Sequence, residues 1–167
     1  MVSVGNHWVH IPVLGIIGSS RPALAPRSWE DGPMGKSQGL HVEFRDKFRL
    51  VNAPVMLRAE RNVIGGDYGA LSYTTMGQAD ELARCLNLGR GRTLLDIGSG
   101  SGWPGSYLAA SSGCTAILTD PTIEGMAVAA ERSRRDGLDT TTVVAAGTPL
   151  PFKDGVFDAS TSSDVFC

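Results

Sequence analysis

The sequence predicts an α/β fold, a parallel sheet with flanking helices, and three observations carry the prediction. From about residue 90 onward, apolar β-branched runs of strand length alternate with helical patterns. The connections between them are short, as crossovers joining parallel strands require. A loop with glycine at every second position follows directly on the first run, Leu94-Leu95-Asp96-Ile97-Gly98-Ser99-Gly100-Ser101-Gly102. A length of 167 residues suits one domain, and 42% hydrophobic with 19% charged residues is ordinary globular composition.

Residues 1–40 read as a leader with scattered Gly, Pro and Ser and no sustained period, so little regular structure is expected there. Ala23-Leu24-Ala25 resembles a secretory cleavage site, but no Lys or Arg precedes the apolar run before it, which argues against export. Met34 is an alternative beginning that would make the leader spurious. Gly35-Lys36-Ser37 suggests a phosphate loop, yet the glycine needed five positions earlier is Glu30. His7 and His10 have no further ligands nearby, so no metal site is expected.

Residues 41–89 read as a helical segment. Phe44, Phe48, Val51, Val55 and Leu57 form a helical pattern broken at Pro54, which predicts one or two short helices. After the glycine-rich turn at 65–69, Thr75 and Gln78 have capping-box spacing and Met76, Ala79, Leu82, Ala83 and Leu86 share a helical face. That helix should run to about Leu88 and stop at Gly89.

Residues 90–167 form the α/β unit. The strand at 94–97 leads through the glycine loop to a short helix from Trp103 to Ala110, where Pro104 is tolerated in the first turn. Thr115–Asp120 is a second strand, and Thr122 can cap a helix that reaches about Asp136 and ends at Gly137. Its apolar face would hold Met126, Val128 and Ala129, and Glu131, Arg132, Arg134 and Arg135 would form a solvated face. Thr140–Ala145 is a third strand, and a fourth begins near Val156. Trp103 and Cys114 read as packing residues.

In such a sheet a ligand binds at the carboxyl ends of the strands, where the glycine loop lies. An adenosine-containing cofactor needs close backbone approach, an acceptor for ribose hydroxyls and an apolar slot. Gly98, Gly100 and Gly102 meet the first need, Asp120 the second and Ile123 the third. Asp120 falls 18 residues after Gly102, near the ~20 that a strand–loop–helix–strand unit imposes. Gly100, Gly102 and Gly105 also match a dinucleotide fingerprint, but a carboxylate at Asp96 would repel pyrophosphate at a helix start. A cofactor carrying a sulfonium and an ammonium welcomes that acid.

An acid on an apolar strand followed by G-x-G-x-G resembles the first motif of the class I S-adenosylmethionine-dependent methyltransferases, and the resemblance runs from Tyr68 to the C-terminus. It implies a Rossmann-like sheet, normally of seven strands, of which about four are present, as in a truncated domain. It implies that Asp96, Gly98, Ser99, Gly100 and Gly102 wrap the methionine part of S-adenosylmethionine and that Asp120 holds both ribose hydroxyls. Pro121, Thr122 and Ile123 would follow at the adenine side. Residues 144–152 with the tail KDGVFD resemble the segment covering adenine. Where many relatives place an aspartate this chain has Ala146, which leaves adenine to backbone contacts at Ala146, Gly147 and Thr148. Tyr68 and Tyr73 match a region that often closes over the methionine end.

The resemblance further implies in-line methyl transfer to a small-molecule acceptor, driven largely by proximity and alignment. No catalytic residue follows from it; Asp164 is placed to contact an acceptor. The alternatives are a noncatalytic remnant, binding cofactor weakly or acting as an interaction module, and an NAD(P)-binding oxidoreductase fragment. The expected setting is a reducing cytoplasm, because Cys85, Cys114 and Cys167 are odd in number and widely spaced. No apolar run reaches the ~20 residues of a membrane span, and a net charge of −2 supplies no general attraction to nucleic acid. An unpaired fourth strand would invite self-association.

Overall fold

The computed structural model describes residues 2–4, 7–9, 44, 46–147 and 149–165. Within the leader, β1 (Val2–Val4) and β2 (His7–Val9) pair antiparallel, a short hairpin where little regular structure is expected. His10, Gly35-Lys36-Ser37 and the cleavage-like Ala23-Leu24-Ala25 lie outside the described residues.

Helix α1 spans Pro54–Val63, with Pro54 in the first turn, where its missing N–H costs nothing. Helix α2 (Met76–Cys85) opens on the anticipated capping box: Gln78 N donates to Thr75 Oγ1 at 3.3 Å and Thr75 N to Gln78 Oε1 at 2.8 Å. It stops at Cys85, short of the expected Leu88, because Asn87 adopts φ +50°. Asn87 N then donates to Arg84 O and Leu88 N to Ala83 O, a turn that satisfies the last carbonyls without glycine.

The α/β unit follows as β3 (Thr93–Ile97), α3 (Gly105–Ser112), β4 (Thr115–Asp120), α4 (Ile123–Asp136), β5 (Thr140–Val144) and β6 (Ala159–Thr161). The four strands are parallel in the order β5-β4-β3-β6. The chain therefore moves outward from β3 through β4 to β5 and then returns to the other side of β3, which makes the carboxyl end of β3 a switch point. The fourth strand starts at Ala159, not near Val156, since Asp154 and Gly155 form a turn and Asp158 N and Oδ2 first dock on Thr93.

One core joins the sheet to three helices. Leu94, Ala116 and Leu118 point to one face and pack with Leu82 of α2 and Leu86 just beyond it, Leu108 of α3, and Met126 and Ala129 of α4. Leu94, Leu108 and Leu118 are fully buried, each contributing about 1.5–3 kcal/mol of transfer free energy. Trp103 and Cys114 belong to this core, in keeping with their reading as packing residues. Asp96 lies on the same face, because the period of two puts it beside Leu94. Arg132 departs from the expected solvated face. Only 5% exposed, it turns toward Tyr68, while Arg134 and Arg135 stay in solvent.

Candidate cofactor site

The glycine loop forms because the carboxyl end of β3 must turn within a few residues into α3. Gly98, Gly100 and Gly102 have φ of +72°, +52° and +101°, values that side-chain-bearing residues adopt at a cost. The loop is fastened to β4: Gly98 N and Ser99 N both donate to Thr119 O, at 2.7 and 2.9 Å. Ser99 is thus buried against the neighbouring strand, and Gly102 N closes the turn onto Ser99 O at 2.7 Å.

Asp120, at the end of β4, ties the loop to the next helix. Its Oδ2 accepts from Gly100 N at 3.0 Å and its Oδ1 from Thr122 N at 2.8 Å and from the Thr122 hydroxyl. The bonds explain why a carboxylate only 8% exposed persists here. Thr122 does not cap α4 with its side chain as the sequence suggests, because its hydroxyl is spent on Asp120. Pro121 is exposed, Ile123 is 64% exposed and free to meet a planar group, and Ala146 and Gly147 are half-buried. Thr148 lies outside the described residues.

Asp96 is fully buried. Its Oδ2 accepts from Gly105 N, the first amide of α3, at 2.8 Å, and its Oδ1 has no hydrogen-bond partner. Burial, first, and the charge of Asp120 push its carboxyl well above the usual range, against the pull of the Gly105 amide. Thr161, opposite Asp96 in β6, shares its face, and Thr161 Oγ1 is likewise buried without a partner. Orphaned acceptors of this kind call for a bound group. A cation carrying N–H donors suits the Asp96 oxygen, so the donor set fits the ammonium of S-adenosylmethionine. Pyrophosphate finds less: Pro104 has no amide hydrogen and Gly105 N is taken.

Two residues bordering the loop carry no site signal in the sequence. A Cβ on Gly98 would lie 2.3 Å from Val165 Cγ2, and one on Gly100 would lie 2.9 Å from the Phe48 ring. The chain's own apolar side chains thus rest on the glycines expected to receive a ligand. Asp164 adopts φ +56°, and its Oδ2 accepts from Ser72 Oγ at 2.6 Å and Tyr73 N at 2.9 Å, holding the 72–73 segment. Tyr73 itself is 77% exposed, whereas Tyr68 is packed on Trp103 with ring centroids 4.8 Å apart.

Segment 68–70 is held from several sides. Glu60 of α1, 8% exposed, accepts from Tyr68 N and, at 2.8 Å, from Gly69 N. Burial raises the Glu60 carboxyl, and the amides of residues 68–70 and Arg132 pull it back. Arg132 Nη1 donates to Tyr68 O, with the guanidinium 5.4 Å from the Tyr68 ring centroid. A concavity at the opposite end of the sheet, lined by Arg90, Cys114, Gly137 and Asp139, lies away from all these groups.

Among known families, the model described as a methyltransferase domain matches residues 95–167. No curated protein matches the sequence. The chain is similar to a Haemonchus contortus phosphoethanolamine N-methyltransferase solved with phosphomonomethylethanolamine and S-adenosylhomocysteine. The two share 26% identity and a TM-score of 0.56 over 72% of this chain and 29% of that one. An S-adenosylmethionine-dependent methyltransferase from Geobacter sulfurreducens, solved with S-adenosylhomocysteine, shares 27% identity with a TM-score of 0.39, over 42% of this chain and 29% of that one. One from Aquifex aeolicus shares 17% with a TM-score of 0.44, over 64% and 50%. The chain spans half the length of these structures or less.

Proposed function

We propose that residues 95–167, which match a methyltransferase domain, belong to a class I, S-adenosylmethionine-dependent methyltransferase, and that the protein binds S-adenosylmethionine at the glycine loop and takes part in methyl transfer to a small-molecule acceptor. The observation that carries the reading is the pairing of two buried carboxylates with the loop: Asp96, one oxygen unpartnered, and Asp120, bonded to Gly100 N. Bound there, the cofactor would supply an electrophilic methyl group. Asp96 would receive the ammonium, Asp120 the ribose hydroxyls, and Gly98, Ser99, Gly100 and Gly102 the chain between them. Pro121, Thr122 and Ile123, with Ala146, Gly147 and Thr148, would border the adenine.

The small-molecule acceptor is supported by the likeness to the phosphoethanolamine enzyme. No helix among the described residues is long and apolar enough to cross a membrane. A cytoplasmic setting is supported by Cys85, an exposed free thiol. Self-association through β6 is supported by its place at one edge of the sheet.

Equilibrium dialysis of the purified chain with labelled S-adenosylmethionine tests the reading. Retention that Asp120→Ala weakens is the expected result. A chain folded by circular dichroism that retains no label overturns it, and retention without turnover on any amine acceptor leaves a noncatalytic binding module. The oxidoreductase reading predicts tight NADH binding, which the occupied Gly105 amide opposes.

A further inference from the structure

Helix α1 has one buried residue, and that residue is charged: Glu60, flanked by the exposed Val55, Met56 and Val63. A carboxylate is buried only where bonds replace its water. Here those bonds go to consecutive backbone amides, Tyr68 and Gly69, eight and nine residues downstream. Gly69 O in turn accepts from Ser101 Oγ at 2.5 Å, and Ser101, 1% exposed, sits inside the glycine loop between Gly100 and Gly102. Gly69 has φ +67°, and a Cβ there would lie 3.1 Å from Val51, so a side chain at this position would be strained. From the other side Arg132 of α4 donates to Tyr68 O.

We propose that Glu60 is a positioning residue for the cofactor site, holding the Tyr68–Gly69 peptides so that the Gly69 carbonyl fixes Ser101 and with it the glycine loop, with Arg132 as the second arm of the clamp. The proposal rests on the cofactor reading for its functional meaning, but the mechanical linkage stands by itself. Glu60 touches no part of the loop; its effect passes through a single carbonyl. Gln in its place keeps the size but turns one acceptor into a donor facing an amide N–H.

Hydrogen exchange on the unliganded chain tests the linkage, and S-adenosylhomocysteine affinity tests its consequence. Glu60→Gln is expected to speed exchange at residues 98–102 as well as at 68–70, and to weaken S-adenosylhomocysteine about tenfold, as loss of charge-assisted bonds at the clamp would. Ser101→Ala should weaken it similarly, and the double variant should be no weaker than either single one, since both break one chain of bonds. Arg132→Lys provides the same exchange test should Glu60→Gln fail to fold. Exchange at 98–102 unchanged in the folded variants, or losses that multiply in the double variant, would overturn the proposal. Wild-type chain that binds no S-adenosylhomocysteine sinks the cofactor reading alone, because the exchange measurement still decides the linkage.

Discussion

Asp120 Oδ2 accepts a hydrogen bond from the backbone amide of Gly100 at 3.0 Å, joining residues 20 apart in sequence and closing the glycine loop onto the second parallel strand. The carboxylate proposed to receive ribose hydroxyls is thereby also a structural anchor of the loop. Its partners are backbone and hydroxyl donors, so it needs no counter-ion to remain buried.

Replacing Asp120 with Ala removes that anchor and the proposed acceptor for a ribose. Affinity for S-adenosylhomocysteine should fall by roughly 1.5–3 kcal/mol, about ten- to a hundredfold, in isothermal titration. Asp120→Asn should lose less, since its amide oxygen can still accept from Gly100 N. Equal affinity in wild type and Asp120→Ala would reduce Asp120 to a turn residue.

Asp96 makes stability depend on pH with a definite sign. Its folded carboxyl is held well above the ordinary value of 3.8, chiefly by burial, so the folded chain keeps a proton that the unfolded chain releases. Stability from this group is fully present below about pH 3.8 and is lost as pH rises through the raised folded value. The slope is at most about 1.4 kcal/mol per pH unit. Asp96→Asn, neutral throughout, should therefore gain on wild type in urea unfolding as pH rises from 4 to 8. Parallel pH profiles for the two proteins would refute this account.

Gly105 opens α3, where alanine would ordinarily add about 0.8–1 kcal/mol of helix propensity. A Cβ there would lie 2.4 Å from Leu118 Cδ2 and 2.6 Å from Asp96 Oδ2. Overpacking costs typically 1–3 kcal/mol, which exceeds the propensity gain. Gly105→Ala should thus lower the thermal midpoint; a raised midpoint would show that the strand and helix separate easily.

Cys85 and Cys114 should differ sharply in reactivity. Cys85 is exposed, whereas Cys114 is fully buried and burial pushes its thiol above the usual value. Iodoacetamide followed by peptide mass mapping should label Cys85 in the native chain and Cys114 only after denaturant is added. Equal labelling of both in native buffer would contradict the packing of Cys114 in the core.

The sequence by itself determined what local chemistry determines. Strand–helix alternation, the β4 run at 115–120, the α4 helix closed by Gly137 and the Thr75–Gln78 capping box all arise from periodicity or from contacts within a few residues. The glycine loop was legible for the same reason, since alternate glycines permit a turn that few other residues can make. Tertiary structure decided what depends on a distant partner. Arg132 has the spacing of a solvated face, and only the carbonyl of Tyr68, 64 residues away, draws it inside. Glu60 sits in a polar run without periodicity, and only the amides of 68 and 69 bury it. Phe48 and Val165 fall in stretches with no site signal, yet both rest on the loop glycines. Burial is a property of pairs of segments, and a single segment carries half of that information.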